Sequence, residues 1–170
     1  MPVSLNMPQM RTSPQFPQKQ PKQRTNSAAD STKMAFPATP GAYVLAIRLA
    51  RPVEIAARSL ASASLLPGWY AYAGSARGPG GLAARVRRHL AADKRPRWHI
   101  DTLTLAAAEI EATAFPGENE CTLLARLMEL DGTSVPLPGF GASDCRTCAA
   151  HLVALPGRPT PERPVFAPQS

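Results

Sequence analysis

Between residues 41 and 155 the spacing of apolar positions switches repeatedly between two periods, and each switch marks an element. In Gly41–Leu49, Tyr43, Leu45, Ile47 and Leu49 share one face, the two-residue period of a strand. Val53–Ala57 reads as a second, shorter strand after Pro52. Pro67-Gly68 is a turn signal, and the aromatic run Trp69-Tyr70-Ala71-Tyr72 reads as a further strand. Residues 41–76 therefore predict a small antiparallel meander. Gly78-Pro79-Gly80-Gly81 interrupts it, and the period then lengthens. Leu82, Val86 and Leu90 recur every four residues, which predicts a helix over 82–92 with these three facing the core and with Arg85 and His89 on a neighbouring face. Pro96 ends that element. Residues 98–105 predict a short helix, and 109–115 alternate as a strand. After Pro116-Gly117, either Asn119 or Gly117 is placed to cap a helix running to Leu130. Leu123, Leu124, Leu127 and Leu130 form its apolar stripe, and Asp131-Gly132 stops it. Residues 135–141 form a Pro- and Gly-rich rigid loop, and 151–155 a closing strand. The expected fold class is α/β of the α+β type: a small, mainly antiparallel sheet flanked by helices.

Composition separates the ends of the 170-residue chain from its middle. Twelve of the 19 prolines lie outside residues 41–155, among Gln, Ser, Asn and Lys. Segments so poor in apolar surface cannot offset the entropy of ordering, so 1–40 and 156–170 are expected to be disordered tails. Residues 41–155 are enough for one modest core. The Pro-rich tails are candidate recruiting segments for a protein partner, and the domain itself is expected to be a monomer. No apolar run reaches membrane-spanning length, and the N-terminus lacks the apolar segment of a secretory signal. Three cysteines do not make a disulfide framework, which fits a reducing, cytoplasmic setting.

The net charge of +7 is unevenly placed. The N-terminal 40 residues carry five basic and one acidic side chain, whereas 41–155 carry 12 and 10. Within that middle, Arg77, Arg85, Arg87, Arg88, Lys94, Arg95 and Arg97 face only Asp93 between positions 77 and 97. A local excess of this kind is an electrostatic footprint for a polyanion, and the competing reading is a solvated helix face.

The segment Tyr72-Ala73-Gly74-Ser75-Ala76 combines an aromatic hydroxyl, a tight run of small residues and, after it, a helix with Arg85 and His89. That order can hold a phosphodiester between a proton acceptor and a guanidinium. Gly41-Ala42-Tyr43, Tyr72-Ala73-Gly74, Arg85 with His89, and Glu120 opening a later helix together resemble the signature of the GIY-YIG nuclease superfamily over residues 41–130. Gly139-Phe-Gly-Ala-Ser-Asp-Cys-Arg146 is similar to a small stand-alone branch known mainly as a domain of unknown function. Ala73 replaces the usual branched residue, and the longer gap between the triplets suggests an extra strand at Val53–Ala57.

The resemblance implies an Mg²⁺- (or Mn²⁺-) dependent endonuclease acting on DNA or another structured nucleic acid. In that reading Glu120 holds the metal, Arg85 binds the scissile phosphate, and Tyr43 or Tyr72 manages the proton, with His89 sharing that task or contacting phosphate. Chemistry agrees with the assignments: Mg²⁺ takes one or two carboxylates plus water, and arginine presents a fork of donors to phosphate. Arg77, Arg87, Arg88, Lys94, Arg95 and Arg97 would position the backbone. Each residue also has a structural reading. Glu120 suits a helix N-terminus, Tyr43 and Tyr72 suit half-buried strand positions, Arg85 suits a solvated helix face, and His89 suits a helix interior. His99 and Asp101 are expected to pack rather than touch substrate, Trp69 and Trp98 to belong to the core, and Asp144 to make a turn. Cys145-Arg-Thr-Cys148-Ala-Ala-His151 offers three zinc ligands in a row, and a fourth would have to be Cys121 or His99. Zinc is therefore not expected, and buried free thiols are. Two alternatives to a nuclease are a binding module of the same fold that cuts nothing and a zinc-stabilised structural domain.

Overall fold

The computed structural model of the protein describes residues 36–57, 60–160 and 166. The elements run β1 (Gly41–Leu49), β2 (Val53–Ala57), β3 (Leu60–Leu65), β4 (Gly68–Ala76), α1 (Gly81–Leu90), α2 (His99–Ala106), β5 (Glu109–Pro116), α3 (Glu120–Met128) and β6 (Leu152–Leu155). Four strands make one antiparallel sheet in the order β5-β1-β4-β6, so the fold is α+β, as the alternating periods predicted.

β1 is hydrogen-bonded along both edges and buried on both faces. Its side chains therefore divide by parity. Tyr43, Leu45, Ile47 and Leu49 join Leu82 and Val86 of α1 and Ile100 and Leu103 of α2 in one core. Ala42 and Val44 face the other way, with Ala71, Ala73, Phe115 and Val153, against Leu123, Leu124 and Leu127 of α3. The small residues on that face let a helix lie close to the sheet.

Residues 41–76 do not form one meander. β4 returns directly to β1, pairing Gly41 with Ala76 through to Leu49 with Gly68, and β2–β3 form a separate two-stranded sheet between them. Both edges of β1 are occupied, so β2 has no edge there to join. It buries Val53 and Ile55 in the core shared with α2 instead. β3 escaped the sequence reading because Ala and Ser dominate it.

α1 ends at Leu90, and Leu90 is 39% exposed rather than in the core. The buried stripe is Leu82, Val86 and His89. Seven residues return to within about 20° of the starting direction on a helix, whereas eight overshoot by roughly 80°, so position 89 and not 90 lies beneath Leu82.

The folded unit also extends past its expected limits. The carbonyls of Pro37 and Thr39 accept from the N–H groups of Ala83 (2.9 Å) and Leu82 (3.0 Å), which the first turn of α1 leaves without helical partners. Phe36 packs against the α1–α2 core. At the other end Arg158 pairs with Glu111 (2.7 Å), and the Phe166 carbonyl accepts from the Thr113 hydroxyl (3.2 Å). The remainder of the expected tails, 1–35, 161–165 and 167–170, lies outside the described residues. Among the described residues no helix is long and apolar enough to cross a membrane.

A chain beginning at residue 41 is expected to be less stable than one beginning at residue 36 by about 3 kcal/mol, from the lost Phe36 packing and three lost hydrogen bonds, the third being the one that the Pro40 carbonyl accepts from the Gly117 N–H (3.0 Å). Urea unfolding of the two truncations measures this, and equal midpoints would show that 36–40 add nothing.

Candidate active site

The register of β1 against β4 places Tyr43 opposite Gly74 and Tyr72 opposite Leu45, so the two tyrosines stand diagonally on one face with ring centroids 6.5 Å apart. Each lies over a glycine. A Cβ on Gly74 would collide with the Cζ and hydroxyl of Tyr43. A Cβ on Gly141 would come within 2.8 Å of Tyr72 Cε2, and Gly141 also holds a φ of +72°. The second triplet is thus legible as geometry: Gly74 leaves room for the first triplet's tyrosine.

The Tyr43 hydroxyl meets His89 Nε2 at 2.8 Å. His89 Nδ1 lies 3.8 Å from Asp101 Oδ1, and neither atom has a hydrogen-bond partner among the described residues. A neutral imidazole with its proton on Nδ1 suits both neighbours, because Nε2 then accepts from Tyr43 while Nδ1–H faces the carboxylate. Burial pushes the His89 pKa down to about 4 against the opposing pull of Asp101, so the ring is neutral at pH 7. Burial raises Tyr72 to about 12 and Tyr43 well above the usual tyrosine range, while Arg85 pulls both back.

Arg85 lies one turn before His89, its guanidinium carbon 4.4 Å from the centroid of Trp98. Among the described residues no carboxylate pairs with it. Trp98 is half-buried and carries the Arg88 guanidinium at the same distance, so it is a cation platform as well as a partner of the core. Glu120 is the first residue of α3, whose N-cap, Asn119, accepts from the Cys121 N–H at 2.7 Å. The Glu120 Oε2 is buried without a hydrogen-bond partner.

Tyr43, Tyr72, Arg85, His89 and Glu120 all line one open cleft of ≈ 620 Å³. Arg97, Trp98, His99, Asp144 and Arg146 join them on its wall. His99 and Asp144 thus reach the cleft instead of only packing or turning the chain, and so does Arg146, whose place on the wall is set by the fold of the loop before β6 and carries no local sequence signal.

Asp101 has a larger role than packing alone. It is fully buried, and its Oδ2 accepts from Arg88 (2.8 Å) and from the backbone N–H groups of Arg97 (2.8 Å) and Trp98 (3.1 Å), closing the start of α2. Lys94 Nζ lies 3.9 Å from its Oδ1. This corrects the picture of a basic segment facing only Asp93. Arg88 and Lys94 are bound to a carboxylate that lies just beyond it in sequence, while Arg77, Arg87, Arg95 and Arg97 are exposed.

The cysteines also differ from expectation. None is buried: Cys121, Cys145 and Cys148 are each partly exposed. Their sulfurs and one ring nitrogen of His151 lie within 4.8 Å of one another, close enough to hold a metal ion. Sequence spacing offered three ligands in a row, and the fold brings in Cys121 from α3 as the fourth. Hydrogen bonds from Thr147 draw the Cys145 thiol below its usual range, and burial pushes Cys148 above it.

Two outcomes are expected of this geometry. The Gly74→Ala substitution should cost about 1–3 kcal/mol, and much less in a Tyr43→Ala background where the colliding ring is gone. A double-mutant cycle by urea unfolding checks it, and additivity would mean the close approach carries no strain. His89 stays neutral in the folded state down to about pH 4, whereas the unfolded chain takes up its proton near 6.5. Its contribution is therefore intact above pH 6.5 and lost as pH falls from there toward 4, by about 1 kcal/mol over the first full unit. Stability curves of wild type and His89→Gln over that window should converge as the pH is lowered.

No curated protein and no solved structure matches the chain. One family model does, over residues 42–166, which include the strands, the helices, the cleft and the cysteine cluster. By that match the chain belongs to the family described as domain of unknown function DUF123.

Proposed function

We propose that this protein is a GIY-YIG-type, divalent-metal-dependent endonuclease that hydrolyses phosphodiester bonds in DNA or another structured nucleic acid. The observation that carries the reading is the meeting of Tyr43, Tyr72, Arg85, His89 and Glu120 in one cleft, with one Glu120 carboxylate oxygen buried and unpartnered. Those residues come from two strands and two helices, and packing alone does not require their polar ends to converge. An unpaired buried carboxylate oxygen is costly, and a cation removes that cost.

Glu120 would hold Mg²⁺ or Mn²⁺, consistent with a site built from one carboxylate and completed by water, and the ion would supply charge neutralisation at the phosphate. The remaining steps belong to side chains. Arg85 offers its donors to the phosphate oxygens while Trp98 holds its face. Water attacks in line. Tyr43 takes the water's proton as its own hydroxyl proton passes to His89 Nε2 at 2.8 Å, so no free phenolate has to form at a site that disfavours one. The imidazolium so formed faces Asp101. Tyr72 lies beside Tyr43 and orients the attacking water. The exposed Arg77, Arg87, Arg95 and Arg97 track the backbone.

A nucleic-acid-binding module of the same fold shares the basic surface but predicts no turnover. Labelled nicked, branched, flapped and linear DNAs incubated with and without Mg²⁺ separate the two. Cleavage is expected only with Mg²⁺, and Glu120→Ala should lose at least about 100-fold in rate while still binding. Salt-sensitive binding with no cleavage across substrates would favour the binding module.

Arg87→Ala should weaken DNA binding and lower the slope of log K against log salt by about 1. Arg88→Ala should instead reduce stability by about 3 kcal/mol, because it strips a partner from buried Asp101. Fluorescence anisotropy across a salt series, with thermal melts alongside, reads both.

A further inference from the structure

The chain contains three cysteines in all, and every one of them reaches the same place. Cys121 lies in the first turn of α3, while Cys145 and Cys148 lie in the loop before β6, 24 residues on from Cys121 at their nearer member. Inert free thiols are small hydrophobes and go into cores, but these are partly exposed and gathered with an imidazole.

The spacing is that of ligands around an ion. A tetrahedron with Zn–S arms of ~2.3 Å has edges of about 3.8 Å. The Cys121 and Cys145 sulfurs are 3.6 Å apart, and all four ligand atoms fall within 4.8 Å of one another. The same 3.6 Å is far beyond the ~2.04 Å of a disulfide bond.

A second, independent observation is His151. The residue is 6% exposed, and Nε2 is buried without a hydrogen-bond partner among the described residues. The backbone holds it there from both sides. Its N–H donates to the Phe140 carbonyl (2.8 Å), and its carbonyl accepts from Ala73 of β4 (3.0 Å). With its backbone so held, His151 sets one ring nitrogen within 4.8 Å of the three sulfurs. The Cys148 N–H donates to Cys145 Sγ (3.3 Å), folding Cys145-Arg146-Thr147-Cys148 back on itself so that a thiolate there has a donor.

We propose that Cys121, Cys145, Cys148 and His151 bind one zinc ion in a closed structural site. Soft thiolates select zinc over magnesium, and four protein ligands leave no open position for substrate or water. On binding, the thiols release their protons to solvent and the ion sheds its waters, with no change of oxidation state. The ion ties the N-terminal turn of α3 to the loop before β6, and because Glu120 immediately precedes Cys121, it also anchors the cleft's carboxylate. This goes beyond the nuclease reading and does not depend on it, since zinc content and stability are measured without any cleavage.

The test uses the full chain, expressed with zinc in the medium, dialysed, and analysed by mass spectrometry for metal and for free thiols. About one zinc per chain is expected, with all three thiols reduced. Cobalt exchanged into the same protein should give the intense visible bands of tetrahedral coordination and a thiolate charge-transfer band. Removing zinc with a chelator should lower the Tm, and zinc but not magnesium should restore it. Cys121→Ser should lose the metal, whereas Cys148→His, which keeps a ligand, should retain it. Wild type with no more zinc than Cys121→Ser, a pale octahedral cobalt spectrum, a Cys121–Cys145 disulfide, or a Tm indifferent to chelation would each overturn the proposal. The cobalt spectrum of wild type decides even if the variants do not fold.

Discussion

One buried charge organises the half of the molecule that faces the cleft. Asp101 is fully enclosed, and a carboxylate in that position is tolerable only if donors surround it. Oδ2 takes its donors from Arg88 on α1 and from the backbone of Arg97 and Trp98, and the Lys94 ammonium in the connection lies 3.9 Å from Oδ1 as a second positive charge. Satisfying Asp101 therefore sets how α1 and α2 lie against each other and where the segment between them runs. His89, one residue after Arg88, is placed by the same constraint, with its Nδ1 toward the carboxylate and its Nε2 toward Tyr43.

The cleft inherits its shape from two further constraints, both steric. Tyr43 and Tyr72 stand on adjacent strands of a sheet already packed on both faces, so their rings have space only where a side chain is missing opposite. Gly74 and Gly141 provide it. Neither tyrosine ionises readily in such a buried place. Arg85 and Glu120 approach from the flanking helices, Arg85 resting on Trp98 and Glu120 at the start of α3. The cysteine cluster adjoins Glu120 through Cys121, so the anchoring of that helix turn and the position of the carboxylate are one structural question.

The extent of the folded unit has a similar origin. A helix N-terminus leaves N–H groups without partners, and in α1 the carbonyls of Pro37 and Thr39 meet two of them. Proline-rich composition marked this stretch as tail. Composition measures what a segment can bury and says little of the carbonyls it can offer.

Strand and helix periods are legible because they are local: β1, β4, α2, β5 and β6 all follow from spacing and turn residues, whereas β3 is too rich in Ala and Ser to announce itself and the choice of Asn119 over Gly117 as the cap of α3 is made by the folded backbone. The motif order also nominates Tyr43, Tyr72, Arg85, His89 and Glu120. What spacing cannot convey is who meets whom across the sheet. Leu90 yielded its expected core place to His89 because the helix turns by 100° per residue and not by 90°. Asp101 took Arg88 and Lys94 out of the basic surface because a buried carboxylate draws its donors from whatever the fold brings near. Cys121 completed a four-ligand cluster that the local motif left at three, because α3 and the loop before β6 converge only once the sheet has formed. Most elements and the chemical types at the cleft are written in short-range order, whereas the pairings are not, because contact between distant residues is set by packing and charge compensation in three dimensions.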